Sequence, residues 1–308
     1  MMNTDTAVIE SVASDQSEEG LVPIREISRA TGINTVTLRA WERRYGLLIP
    51  QRTAKGHRLY SLADISRVKE IQVWLGRGVA ISKIKALLTG QPQEHSVAEI
   101  DSIWLSLIDQ IHMQINAFHR GRLVHILADT YALYPAEMVA DYLLVPLINS
   151  LQANEFGMVA KRSFFASVLQ EYLYAAIYRQ RQPLGQSKIL LVSLSQDGND
   201  LLPLALSYSL LVHQYHAEYL GALELNEARL CAEVLQAKIV VLISSPNVNT
   251  GELQLHLKAW RDKNAIPVVL AGGLATVYPA LGLREDSDVY PCATLELVHT
   301  AINLLVKG

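Results

Sequence analysis

The chain has 308 residues, half of them apolar, so it is long enough to form two or three domains with buried cores. Its two cysteines lie far apart in sequence, which argues against a disulfide framework or a cysteine zinc site and favours the reducing cytoplasm. The chain starts without the basic residues of a signal peptide, and no apolar stretch reaches the roughly 18 residues of a membrane helix, so we expect no membrane contact.

The net charge of -3 conceals an uneven distribution along the chain. Residues 21 to 90 hold 13 of the 27 Lys and Arg residues but only 4 of the 30 acidic residues, whereas residues 1 to 20 hold 5 acidic residues and no basic one. A compact basic segment is typical of a protein that binds a polyanion, because each neutralised phosphate releases condensed counterions. A basic face that is merely solvated has the same composition, and charge alone does not decide between the two interpretations.

The first predicted elements follow an acidic, aperiodic stretch at residues 1 to 20, for which we expect a disordered tail. From Pro23 the apolar spacing predicts a short helix that stops at Gly32, and a second helix runs from Thr35 to about Tyr45. Two short helices joined by a tight turn with glycine predict a helix-turn-helix.

A wing is predicted directly after the second helix. Residues 51 to 60 have the pattern of two short strands around the Lys55-Gly56 turn. Ser61 and Asp64 have the spacing of an N-cap and capping box, which predicts a helix from Leu62 to about residue 75.

The pattern changes twice beyond a linker near Gly90. Residues 97 to 182 contain four long stretches with apolar residues at helical spacing, which predict a central four-helix bundle. In residues 183 to 308, short apolar runs alternate with helical segments, which predicts a Rossmann-like, doubly wound parallel sheet. The expected fold class is therefore multidomain, α and α/β, with a winged helix-turn-helix at the N-terminus.

Residues 39 to 46 read Arg-Ala-Trp-Glu-Arg-Arg-Tyr-Gly, and residues 56 to 60 read Gly-His-Arg-Leu-Tyr. Together they resemble the recognition helix and wing of the MerR family, and the sequence of residues 39 to 46 is most similar to that of the MlrA, CarH and LitR subgroup. The resemblance covers residues 21 to about 90. It implies that this segment is a DNA-binding domain whose recognition helix enters the major groove while the wing holds flanking phosphates.

Roles within this domain follow from position on the helix and hairpin. The first turns of the recognition helix are expected to face the groove through Thr35, Thr37, Arg39 and Arg43. Phosphate contacts are expected from Arg44, Arg52 and Arg58, with Lys55 and His57 beside them on the hairpin. Leu38, Trp41, Tyr45 and Tyr60 are expected to form the core of the small domain.

The rest of the chain resembles the cobalamin-binding module of light- or vitamin-sensing members of the same subgroup. Where those members have a cobalt-ligating histidine, this chain has Asn199, and where they have a Glu-His pair above the cofactor, it has Ser163 and Phe164. An amide does not replace an imidazole as an axial cobalt ligand. We therefore expect a degenerate domain that binds no cofactor, and we expect no metal site, because the other histidines show no recognisable ligand pattern.

The sequence thus predicts a regulator of transcription that is not an enzyme. We expect it to bind double-stranded promoter DNA as a homodimer and to act on RNA polymerase indirectly. The resemblance implies activation by distortion of an overlong promoter spacer, and a role in biofilm or extracellular-matrix control. Two alternatives stay open: the α/β domain senses a small-molecule effector such as a cyclic dinucleotide or cobalamin, or it is a cobalamin- or nucleotide-dependent enzyme.

Overall fold

The structure is a computed structural model that describes residues 20–89, 102–180, 188–194, 201–244, 249–263, 266–281 and 288–307. It forms two compact units, which we call the N-terminal unit (Met1–Ser102) and the C-terminal unit (Ile103–Gly308). The tail predicted for residues 1 to 20 lies outside the described residues except for Gly20.

The N-terminal unit is a helix-turn-helix followed by a wing and two further helices. Its elements are β1 (Val22–Pro23), α1 (Ile24–Thr31), α2 (Thr35–Ala40, continued by a π-helical turn Trp41–Tyr45), β2 (Gln51–Arg52), β3 (Arg58–Tyr60), α3 (Leu62–Gly76) and α4 (Ile81–Leu88). Strand β3 pairs antiparallel with both β1 and β2, so the sheet order is β1-β3-β2. The predicted hairpin is therefore two strands of a three-stranded sheet.

Local signals in the sequence fix the ends of these helices. The Asn34 side chain accepts a hydrogen bond from the Val36 backbone N–H at 2.6 Å and so caps α2. At the other end, Gly46 has φ +58°, a left-handed conformation that glycine adopts at little cost. The capping box predicted for α3 is confirmed: Ser61 Oγ accepts from the Asp64 N–H, and the Asp64 carboxylate accepts from the Ser61 N–H at 2.8 Å.

One apolar core holds the N-terminal unit together. Leu38, Trp41 and Tyr60 are fully buried, as predicted, and Tyr45 is half-buried. Further fully buried apolar side chains come from α1, the turn before α2, the segment after α2, α3 and α4: Ile27, Ile33, Leu47, Leu48, Val68, Ile71, Leu75 and Ile84. The side-chain amide of Gln72 also donates to the Thr31 carbonyl at 3.1 Å, which ties α3 to the end of α1.

The C-terminal unit begins with the four helices of the bundle. They are α5 (Ile103–Asn116), α6 (Arg120–Leu133), α7 (Ala136–Met138, continued through a π-helical stretch Val139–Leu144 and Val145–Ser150) and α8 (Met158–Gln180). Buried side chains recur at helical spacing in α8, where Phe165, Leu169, Leu173 and Ala176 face the other helices.

The α/β layer of the C-terminal unit follows in the second half of the chain. Its described elements are β4 (Lys188–Ser193), α9 (Leu201–Val212), β5 (His216–Ala222), α10 (Leu225–Leu235), β6 (Ile239–Ser244), α11 (Thr250–Lys263), β7 (Val268–Gly272), α12 (Gly273–Val277), a 3-10 turn (Tyr278–Leu281), β8 (Val289–Cys292) and α13 (Leu295–Lys307). The five strands are parallel, in the order β5-β4-β6-β7-β8. The predicted doubly wound parallel sheet is confirmed, and its strand order reverses beside β4.

The bundle packs against the α/β layer through helices. Helix α8 lies against α9, and α7 lies against both α9 and α13. The Asp141 carboxylate on α7 accepts hydrogen bonds from the backbone N–H groups of Leu295 at 2.8 Å and Glu296 at 3.1 Å, and so caps α13. Among the described helices, none has the length and apolar character that crossing a membrane requires.

Candidate nucleic-acid interface

Helix α2 divides into a buried face and an exposed face. Leu38 and Trp41 are three residues apart and anchor the buried face. On the opposite side, Val36 is 51% exposed, Arg39 is half-buried one turn later, and Arg43 is exposed after the next turn. The exposed face therefore presents one short apolar side chain and two guanidinium groups, which suits the edges of base pairs in a major groove.

One of the predicted groove-facing residues is on the wrong side of the helix. Thr37 is only 1% exposed, because it precedes the buried Trp41 by four residues and lies on the same face. Its side chain lies in the core and not on the exposed face, so we remove Thr37 from the predicted groove-facing set. Val36 is exposed on that face instead, and sequence reasoning missed it although it is spaced three residues before Arg39.

The end of α2 widens into a π-helical turn, and this alters which side chains point outward. A π-helical turn holds one more residue than an α-helical turn, so the residues after Trp41 are displaced around the helix axis. Both Arg43 and Arg44 are exposed there. Thr35, at the start of the helix, is half-buried.

The wing carries its cations in two different environments. Lys55 and His57 are exposed at the turn between β2 and β3. Arg52 is also exposed, and its guanidinium lies 3.4 Å from a Glu42 carboxylate oxygen. Arg58 is held more firmly: its Nε donates to the other Glu42 oxygen at 2.6 Å, and its side chain is only 23% exposed.

Glu42 thus fastens the wing to α2. Its side chain is 13% exposed and lies between the two arginines of the wing. The hydrogen bond to Glu42 raises the pKa of the Arg58 guanidinium above its ordinary value, although burial opposes the shift. Burial also raises the pKa of the neighbouring Tyr60 hydroxyl to about 12, so that this side chain stays neutral.

The side chains at the positions that correspond to the cobalamin site of related regulators do not fit that cofactor. Ser163 is exposed on α8, and the Phe164 ring packs against Phe118 with centroids 5.0 Å apart, beneath the Arg120 guanidinium. Neither side chain offers an imidazole to cobalt. Asn199, the third of these positions, lies outside the described residues.

A buried polar cluster in the C-terminal unit was not predicted from the sequence. Glu137 on α7, His213 just after α9 and His299 on α13 are distant in sequence, but one donor atom from each lies within 4.8 Å of the others. His213 Nε2 lies 3.1 Å from Glu137 Oε2, and His299 Nε2 lies 2.6 Å from Ser209 Oγ. The expectation of no metal site stays untested, but the histidines do have a possible ligand grouping, which only tertiary packing brings together.

The charge states in this cluster are strongly biased by its surroundings. Burial favours the protonated form of Glu137, but the charge and hydrogen bond of His213 outweigh burial and lower the pKa of that carboxyl to about 2. Burial lowers the pKa of His299 to about 3. At neutral pH the cluster therefore contains an ionised carboxylate and a neutral His299 imidazole.

Comparison with known proteins gives one family match and several relatives. The family model described as MerR HTH family regulatory protein matches residues 22–91. The HTH-type transcriptional regulator MlrA of Escherichia coli (strain K12) is 32% identical over 170 residues, which is 55% of this chain and 68% of that protein. MlrA of Salmonella typhimurium (strain SL1344) is 35% identical over 173 residues, with 56% and 68% covered. The HTH-type transcriptional repressor CarH of Myxococcus xanthus is 30% identical over 160 residues, about half of each chain.

Proposed function

This chain belongs to the MerR family of DNA-binding transcriptional regulators, and on that premise we propose that it reads promoter DNA with the exposed face of α2 while the wing holds the flanking phosphates. The observation that carries the proposal is the row of exposed Val36, half-buried Arg39 and exposed Arg43 on the opposite side of α2 from the buried Trp41. Arginine donates to the acceptor edge of guanine, and an exposed valine suits the methyl group of thymine.

The phosphate contacts are assigned to the cations that surround this face. Arg44 follows Arg43 at the end of α2, and Lys55 and His57 form the tip of the wing. Arg52 and Arg58 contribute from the strands, and Glu42 fixes their position. Thr35 lies at the N-terminal end of α2, where backbone N–H groups favour a phosphate.

The finer mechanism that we propose is activation through DNA distortion by a homodimer. A dimer matches a pseudo-palindromic site, because two-fold symmetry in the protein is mirrored by the DNA. Distortion uses the deformability of a spacer that is too long for RNA polymerase to engage. The likeness to the MlrA subgroup extends the proposal to genes of biofilm or extracellular-matrix formation.

Binding is tested with the full chain on duplexes selected from a random DNA library. Replacing Arg43 by alanine is expected to weaken binding by about 1–3 kcal/mol, or roughly 5- to 150-fold, and to relax selection at one base pair of each half-site. Arg122→Ala is the matched control, because Arg122 is an exposed arginine of the C-terminal unit. Equal affinity of Arg43→Ala and the parent chain would reject the proposed groove face.

The distortion mechanism is tested separately by transcription in vitro from a selected promoter with spacers of decreasing length. We expect stimulation only where the spacer is longer than RNA polymerase prefers. A fluorescent base analogue in the spacer should report unstacking when the protein binds. Stimulation that does not depend on spacer length would contradict distortion while leaving the DNA-binding proposal intact.

A further inference from the structure

The cluster of Glu137, His213 and His299 lies where three helices of the C-terminal unit meet. Glu137 is in the first turn of α7, His213 directly follows α9, and His299 is on α13. The first of these helices belongs to the bundle, and the other two belong to the α/β layer. Any group that binds all three side chains therefore joins the two layers.

Packing sets the register of this junction. Asp141 follows Glu137 by one helical turn and caps the start of α13 at Leu295, and His299 lies one turn further along α13. The capping contact therefore aligns α7 and α13 so that Glu137 faces His299. The side chains are held in place before any ligand binds.

An internal ion pair accounts for only part of the cluster. Glu137 and His213 satisfy one another at 3.1 Å, with side chains only 8% and 13% exposed. The second imidazole, His299, lies against the first with ring centroids 4.2 Å apart, and its Nδ1 is buried without a hydrogen-bond partner among the described residues. Burying an unpaired nitrogen is unfavourable, so an ion pair alone leaves His299 unexplained.

The donor set is that of a transition-metal site, and its ligand atoms lie within 4.8 Å of one another. Two imidazole nitrogens and one carboxylate oxygen suit a divalent ion of the zinc class. Bonds of about 2.0–2.2 Å in a tetrahedron place neighbouring donor atoms about 3.3 Å apart, which is close to the 3.1 Å between Glu137 Oε2 and His213 Nε2. The Ser209 hydroxyl, 2.6 Å from His299 Nε2 and 3.4 Å from Glu137 Oε2, orients both residues in the manner of an outer partner.

We propose that Glu137, His213 and His299 bind one divalent transition-metal ion of the zinc class, and that this ion ties the helical bundle to the α/β layer. The ligand atoms of these three side chains lie within 4.8 Å of one another, close enough for one ion to reach all three. The fourth coordination position is left to water. Because binding favours the folded chain, the ion also stabilises the C-terminal unit.

The test uses the full chain without an affinity tag, stripped with a chelator and titrated with Zn²⁺ alone in a calorimeter. We expect one ion per chain and a higher unfolding temperature in its presence. His213→Gln and His299→Gln should each lose at least about tenfold in zinc affinity, and Ser209→Ala should lose about 10- to 100-fold. Co²⁺ in place of Zn²⁺ should give the visible absorption of a tetrahedral site in the parent chain only.

The control is His256→Gln, since His256 also lies near a glutamate, Glu252, at 3.9 Å, but on a single helix. It should bind zinc like the parent chain. The proposal is overturned if the parent chain binds no zinc, or if the cluster variants bind as well as it does. If the histidine variants do not fold, anomalous scattering at the zinc edge from crystals of the parent chain decides, because a peak must lie between the three side chains.

Discussion

Charged side chains lie at the surface of α2 and the wing in the N-terminal unit, whereas at the junction of bundle and sheet in the C-terminal unit they lie inside. Arg43, Arg44 and Lys55 are exposed, but the Glu137 carboxylate is buried. An exposed cation keeps its hydration and can exchange it for a phosphate, while a buried charge must be satisfied by its neighbours. The contrast indicates that the first unit uses charge to bind a polyanion and the second uses it to fix internal packing.

The largest expected effect comes from separating the two regions. Residues 91 to 182 carry a net charge of -3 and residues 183 to 308 a net charge of -4, which repels DNA. A fragment of residues 91 to 308 should therefore fold and show no DNA affinity in gel-shift titrations. Tight, salt-sensitive DNA binding by this fragment would contradict the assignment of DNA binding to the N-terminal unit.

The next largest effect concerns the interior of the C-terminal unit. In metal-free buffer, Glu137→Ala should lower the free energy of unfolding by about 3–5 kcal/mol, because it leaves His213 and Ser209 without their buried carboxylate. Glu171→Ala is the matched control in the same unit, since its carboxylate pairs with Arg120 but is 71% exposed. That variant should lose no more than about 1 kcal/mol. Equal losses in denaturant titrations would show that burial does not distinguish the two glutamates.

The free energy of unfolding is expected to depend on pH through Asp141, the carboxylate that caps α13. Burial raises the pKa of Asp141 to about 6, and its hydrogen bonds to Leu295 and Glu296 only partly offset this. Because the folded-state pKa lies above the unfolded value, the contribution of Asp141 to stability is full below about pH 4 and falls as pH rises through 6. Asp141→Asn should therefore gain stability relative to the parent chain between pH 4 and pH 7, by at most about 3 kcal/mol. A difference that does not change with pH in paired denaturant titrations would contradict the raised pKa.

The smallest expected effect concerns Arg58, which is less exposed than the other cations of the wing. Arg58→Ala should lower the free energy of unfolding by about 1 kcal/mol, because it leaves the poorly exposed Glu42 carboxylate without its 2.6 Å partner. Arg52→Ala, which removes a longer and more exposed pair, should change stability by less than about 0.5 kcal/mol. Thermal unfolding measures the stability of both variants. A larger loss of stability for Arg52→Ala would contradict the conclusion that the Arg58–Glu42 pair is the stronger of the two.

Local signals in the sequence were sufficient for much of the fold. Capping at Ser61, the glycine stop at Gly46 and the apolar runs of the parallel strands are short-range features, and the structure contains the predicted elements. The side assigned to Thr37 was wrong because helical spacing gives the faces of a helix but not which of them meets the core. The π-helical turn at Trp41 had no signal in the sequence that we recognised.

The buried cluster lay beyond sequence reasoning for a different reason. Glu137 and His213 are separated by 76 positions, and His299 lies further still along the chain. No periodicity links residues on three separate elements, because their meeting depends on how the bundle packs against the sheet. A single sequence contains no spacing rule for such a junction.

The measurement that tests the central claim most directly is the salt dependence of DNA binding by the full chain. Each phosphate contact contributes about 0.9 to the slope of log affinity against log salt concentration. Arg44→Ala and Lys55→Ala should each flatten the slope by about that amount, while Arg122→Ala in the C-terminal unit should leave it unchanged. Identical slopes for all three variants and the parent chain would contradict the assignment of polyanion binding to α2 and the wing.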